Sequence, residues 1–142
     1  MTFEELYEVL KERKSTLPEG STTTEMMTKG FGSILPKLNE ESFEVAMALE
    51  FQEGSDVALE VSQCFYYILC LAVFMDEPFS SLKLEETQLE ITEKHQLSKK
   101  IAQCAAEICH TPCLATLNQM PAYLFQALKL GGATPEQMYS TL

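Results

Sequence analysis

Lys37-Leu38-Asn39-Glu40-Glu41-Ser42-Phe43-Glu44 and, fifteen residues later, Glu60-Val61-Ser62-Gln63 are the stretch on which the reading of this chain turns. Each set places acidic or amide side chains three or four residues apart, so on a helix each set shares one face. Between them, Phe51-Gln52-Glu53-Gly54-Ser55 reads as a short turn. Residue 52 is the midpoint of 41 and 63, and also of 44 and 60. A chain folded there becomes two antiparallel helices with the polar sets at one height, roughly 12 Å from the turn at about 1.5 Å per residue. Like charges held that close repel and raise each other's pKa unless something neutralises them. A divalent cation with oxygen ligands does so economically. The competing reading is a solvated acidic face. Against it stands the helix that Glu60 and Gln63 open, which is otherwise almost wholly apolar and therefore enclosed.

Outward from this hairpin the helical signals continue in both directions. Thr2 with Glu5 forms a capping box for a first helix, whose apolar stripe is Phe3, Leu6, Tyr7 and Leu10. Thr22 to Glu25 opens a short helix ending at Gly30 or Gly32. Ser33 is the expected cap of the first long helix, with Pro36 in its opening turn. Ser55 is the expected cap of the second, which continues through Val57, Val61, Ile68, Leu69 and Phe74 to Asp76-Glu77-Pro78. Leu84 to Glu93 is an acidic linker or solvated helix. Helix resumes from Leu97, and Thr111-Pro112 is expected to open a further helix to Leu130, kinked at Pro121 and stopped by Gly131-Gly132. Thr134-Pro135-Glu136-Gln137 begins a terminal helical turn. No strand pattern competes, so the fold class is all-α, a helical bundle.

The 142 residues amount to one domain, or one domain with an elaborated end, and 46% apolar residues can build a core. A net charge of −11 and a pI near 4.5 disfavour nucleic acid and anionic membrane as partners, since no broad basic patch is available. The most apolar run, Cys64 to Met75, is too short to span a bilayer. Five cysteines, odd in number and set in apolar helical patterns, read as reduced thiols in a cytoplasmic protein. Cys109-His110-Thr111-Pro112-Cys113 lacks a matching second ligand pair, so core packing is preferred to zinc.

Three of the ten basic residues, Lys11, Arg13 and Lys14, end the first helix just before Leu17-Pro18-Glu19-Gly20-Ser21. Either they complement the helix dipole, or they and the Gly-Ser turn hold a phosphate. A weak internal repeat is also visible. Residues 102–108 lie over 39–45, and Met138-Tyr139-Ser140-Thr141-Leu142 over Pro78-Phe79-Ser80-Ser81-Leu82. In the second copy only Glu107 keeps a carboxylate. The organisation expected is an acidic-motif region over 1–82 and an additional helical region over 83–142, a degenerate repeat packed on the first.

Residues 3 to 82 resemble the phosphoribosyl-ATP pyrophosphohydrolase family, helical enzymes of histidine biosynthesis. That family falls within the all-α nucleoside triphosphate pyrophosphohydrolases that include the MazG-type enzymes. The matching pieces are Phe3 to Tyr7, Glu12 to Lys14, Pro18-Glu19-Gly20-Ser21, Ile34 to Lys37, Glu40 to Glu44, and Glu60 to Gln63 running into Tyr66-Tyr67. The Pro-Glu-Gly-Ser segment points to the phosphoribosyl-ATP branch. The resemblance implies cleavage of an α–β phosphoanhydride with release of pyrophosphate, with Mg²⁺ (or Mn²⁺) held by Glu41, Glu44, Glu60 and Gln63. Glu40 and Glu41 would be catalytic, Glu40 orienting the attacking water or adding a ligand. Lys37, Lys11, Arg13, Lys14, Gly20 and Ser21 would contact the nucleotide substrate, and a homodimer is implied. Gln63 departs from the family's Asp and offers one neutral carbonyl oxygen. The alternative is therefore a catalytically impaired relative that binds nucleotide or protein.

Overall fold

The computed structural model describes all 142 residues. Its elements are α1 (Phe3–Thr16), α2 (Thr22–Lys29), α3 (Phe31–Phe51), α4 (Gly54–Phe74), a 3-10 turn (Phe79–Ser81), α5 (Lys94–His110), α6 (Leu114–Leu117), α7 (Met120–Leu130) and α8 (Pro135–Ser140). There is no strand, and the all-α bundle stands.

Only Gln52 and Glu53 separate α3 from α4, so these helices run antiparallel, as the acidic stretch predicts. α5 packs on α3, α7 packs on α4 and α5, and α1 and α8 flank α4. Residues 94–130 thus complete a four-helix core with α3 and α4 inside one chain. α4 is its centre: twelve of its 21 residues are buried, as its nearly all-round apolar sequence requires. It is also the one helix long and apolar enough to cross a membrane, and two-thirds of that apolar window is enclosed by the bundle. Phe65 of α4 is fully buried, with its ring 4.5 Å from Phe3 and 5.2 Å from Phe125. Regions 1–82 and 83–142 therefore share one core. At this three-ring contact, Phe65→Ala would cost about 3–5 kcal/mol.

Helix ends differ from the sequence expectations where tertiary contacts intervene. α1 keeps its Thr2–Glu5 capping box. α3 starts at Phe31 rather than after Ser33. Gly30, at φ 70°, links α2 directly to α3, and a Cβ there would come within 2.7 Å of the Phe74 ring. Pro36 therefore falls in the sixth position, where the carbonyl it leaves unpaired belongs to exposed Gly32. α4 is capped by Glu53 instead of Ser55, with Asp56 accepting the Glu53 N–H at 3.3 Å. The helix expected to run from Thr111 to Leu130 with a kink is two helices. Cys113 caps one-turn α6, and Pro121, which cannot donate an N–H, sits in the first turn of α7. Residues 84–93 form a largely exposed linker without helix, tied down where Gln126 Nε2 donates to the Ile91 carbonyl at 2.6 Å. The Met138–Leu142 segment is mostly helical, whereas Pro78–Leu82 holds the 3-10 turn.

The α7–α8 turn is seated by glycines. A Cβ on Gly54 would stand 2.8 Å from the Gly132 carbonyl oxygen, and one on Gly131 would stand 2.8 Å from a Val57 methyl. This close approach lays α8 along α4 towards Ser62, Gln63 and Tyr66.

Candidate active site

The acidic face is built on the α3–α4 seam. Ser42, Val45 and Ala48 of α3 are buried there, and Glu41, next to Ser42, is half-buried beside them. Across the seam it meets Glu60, which is the charged neighbour that bears on it most. Equal distance from the turn would have paired Glu41 with Gln63 and Glu44 with Glu60. Glu60 bears on Glu41 as well. Glu41, two turns before fully buried Ala48, is half-buried at the seam, while Glu44 is exposed.

Two carboxylates in contact cannot both ionise freely. Burial pushes the Glu41 carboxyl up, Glu60 pushes it further, and the charges of Glu40 and Glu44 add to this, bringing it to about 7. The same field reaches its neighbours. Burial raises the half-exposed Tyr67 phenol, and the charges of Glu41 and Glu40 are among the groups that raise it more. Cys64, fully buried 3.9 Å from Ser42, is held well above the usual thiol range, mainly by burial.

Glu40 is exposed and sits 3.8 Å from Lys37, a loose surface pair that leaves both side chains free to reorient. Glu44 is exposed one turn beyond Glu41. No three carboxylate, imidazole or thiol groups converge on one point, so the four-ligand arrangement expected from sequence is not assembled. Gln63 accounts for part of this. It lines a niche of about 210 Å³ with Ser62, Tyr66, Thr141 and Leu142. The donor set nevertheless suits a hard divalent cation. It is all oxygen, and at its core Glu41, raised by burial and by its acidic neighbours, is a carboxyl whose charged form a cation would favour.

A second polar recess, about 480 Å³, is lined by Arg13, the Pro18–Thr23 loop and Tyr66. Gly20, at φ 76°, makes its turn, and Ser21 caps α2 by accepting the Thr24 N–H at 3.4 Å. The Thr24 hydroxyl donates to the Pro18 carbonyl at 2.8 Å, and Thr23 Oγ1 lies 2.9 Å from the Tyr66 hydroxyl. Of the three cations expected here only Arg13 lines the recess. Lys14 donates to the carbonyls of Val73 (3.0 Å) and Phe74 (3.2 Å) and pairs with Asp76 at 2.8 Å, so it caps the C-terminus of α4. Lys11 faces away, beside Glu8, Glu12 and Ser15. The reach of Tyr66 into this recess had no local signal in sequence.

The family model for phosphoribosyl-ATP pyrophosphohydrolase matches residues 3–117. The phosphoribosyl-ATP pyrophosphatase of Lactiplantibacillus plantarum is 38% identical over 87 residues, 61% of this chain and 82% of that protein. The corresponding protein of Clostridium acetobutylicum is 32% identical over 97 residues, covering 67% and 84%. A histidine biosynthesis bifunctional protein of Bacillus subtilis is 30% identical over 90 residues, 61% of this chain and 43% of that protein. No solved structure matches.

Proposed function

The chain belongs to the phosphoribosyl-ATP pyrophosphohydrolase family, and from that premise we propose that it is a Mg²⁺-dependent pyrophosphohydrolase acting on phosphoribosyl-ATP or a related nucleoside triphosphate. The observation that carries this reading is the half-buried Glu41 carboxyl, raised by burial and by Glu60 beside it, on the α3–α4 seam. The recess of Arg13 and the Pro18–Thr23 loop supports it as a place for the nucleotide's phosphoribosyl phosphate.

Water adds across the α–β phosphoanhydride and releases pyrophosphate and the monophosphate. Glu41, Glu44 and Glu60 would hold Mg²⁺, which when bound screens phosphate charge. Glu40 sits at the exposed end of the same face, where it can orient the attacking water and take its proton. Lys37, loosely paired, is free to meet a phosphate oxygen. Gly20 offers a backbone N–H, and Ser21, whose oxygen already accepts from Thr24, keeps its own proton to donate. The assay is pyrophosphate release with Mg²⁺ across phosphoribosyl-ATP and a panel of triphosphates. Release from at least one is expected, and silence across the panel contradicts the reading.

The second reading is a relative that binds nucleotide or protein without turnover. It is favoured by Gln63, which is neutral and lies in the niche by α8. Gln63→Asp separates the two. A large gain from a silent parent identifies an impaired enzyme, and an already active parent removes this reading.

A homodimer belongs to the same proposal. Phe43 (66% exposed), Met47 (38%) and Phe51 (73%) form a stripe along α3, and Leu59 (40%) stands nearby on α4. Met47 lies two turns beyond Glu40 and Phe51 two turns beyond Glu44, so apolar and acidic residues share a face. A second copy seated on the stripe would shield the acidic seam from water.

A further inference from the structure

The recess of the Pro18–Thr23 loop and the niche at Gln63 meet at one side chain, Tyr66. Its hydroxyl is fixed 2.9 Å from Thr23 Oγ1 on the recess side. On the other side its ring borders the niche of about 210 Å³, whose far wall is Thr141 and Leu142. That wall comes from residues beyond the family match, which ends at 117. It is also firmly built. Met138 is fully buried, and the Tyr139 ring lies edge-on to Phe3 at 5.1 Å. Thr134 and Gln137 cap α8 reciprocally, and Gly131-Gly132 holds the entry turn against Gly54. Thr141 donates its hydroxyl to the Met138 carbonyl at 2.7 Å, which fixes its side chain at the niche.

We propose that α8 is a specificity wall: Thr141 and Leu142, facing Tyr66 and Gln63, bound the nucleotide cleft and limit the bulk of the group a substrate carries past Tyr66. This rests on the reading of the site as a nucleotide pyrophosphohydrolase. A wall of short apolar and hydroxyl groups discriminates by shape, and one to a few methylenes in such a pocket are worth roughly 10- to 200-fold in selectivity. It does not touch the Glu41–Glu60 pair, so its signature is a change in KM and in substrate preference with kcat retained.

The test is steady-state pyrophosphate release with Mg²⁺ by the full chain and two variants, on phosphoribosyl-ATP and ATP. Thr141→Trp fills the niche, and about a tenfold or greater rise in KM for the preferred substrate is expected, with kcat within about twofold. Leu142→Ala opens it, and about a fivefold or greater fall in discrimination between the two nucleotides is expected. Unchanged KM and unchanged discrimination in both variants overturn the proposal. If Thr141→Trp lowers the melting temperature, Leu142→Ala decides alone, because it removes atoms at a partly exposed position. If the parent hydrolyses neither nucleotide, the functional reading fails separately, and calorimetric ATP binding then judges the wall. Binding that Thr141→Trp weakens by about tenfold supports it, and equal binding or none overturns it.

Discussion

Replacing Glu41 by Gln should make the cation-free protein more stable at alkaline pH, although it destroys the proposed site. The Glu41 carboxyl stands at about 7 in the folded protein against an ordinary 4.5, chiefly through burial and then through Glu60. A carboxyl raised by folding means that the native state binds more protons than the unfolded chain between those two values. Stability therefore falls as pH rises through that window, and the full cost is present above about pH 7. A shift of this size corresponds to roughly 3 kcal/mol at about 1.4 kcal/mol per unit. Glu41 is partly open to solvent, and screening reduces the figure to about 1–2 kcal/mol. Gln has the same shape, carries no charge at any pH, and offers Glu60 an N–H donor. Urea unfolding with divalent cations chelated, followed by far-UV circular dichroism, is the assay. Near pH 5 the two proteins should agree within about 0.5 kcal/mol, and near pH 8 Glu41→Gln should be more stable by about 1–2 kcal/mol. Saturating Mg²⁺ should then stabilise the parent and not the variant. A stability difference that is the same at both pH values refutes the reasoning, because folding would then not raise the Glu41 carboxyl.

Mg²⁺ titrated into the protein near pH 6.5 should displace the proton from the Glu41–Glu60 pair, so the calorimetric heat should depend on the buffer's ionisation enthalpy. In Glu41→Gln that dependence should vanish, and its persistence would place the proton elsewhere. Lys14→Met should cost about 1–2 kcal/mol of stability through the uncapped α4 carbonyls while leaving KM unchanged, whereas Arg13→Ala should raise KM about tenfold without a stability loss. The reverse pattern would return Lys14 to the substrate. Phe51→Asp should shift a dimer towards monomer in sedimentation velocity, and a parent that is monomeric at every concentration rules out the stripe as a subunit interface.

The fold was legible in sequence where local chemistry decides it. The Thr2–Glu5 box, the α3–α4 turn, the Gly131-Gly132 stop and the Thr134 cap all lie within a few residues of the structure they specify. The misplaced start of α3 has a different cause. Gly30 continues into helix because the Phe74 ring fills the space behind it, a contact between residues far apart in the chain. The seam contact was legible in its ingredients but not in its pairing. Distance from a turn gives height, while burial of Ala48 and Val45 sets rotation, and rotation leaves Glu41 half-buried beside Glu60 and Glu44 exposed. Lys14 shows the limit of charge reading. A cation at a helix end beside a Gly-Ser turn has two destinations, and only the packing of α1 along α4 reveals that the carbonyls of Val73 and Phe74 are the ones it meets. The placement of α8 over Gln63 depends on a glycine contact between the two halves of the chain, which no local pattern announces.

In the proposed function the Glu41–Glu60 seam, with Glu44, holds the Mg²⁺ that hydrolysis needs, while Gln63 lines the niche by α8. The most direct measurement is pyrophosphate release from phosphoribosyl-ATP by the purified parent, compared with Glu60→Gln under the same saturating Mg²⁺. Release by the parent, at least about a hundredfold slower in Glu60→Gln and abolished by chelation, is the predicted result. Equal rates in the two proteins, or a rate indifferent to chelation, would contradict it.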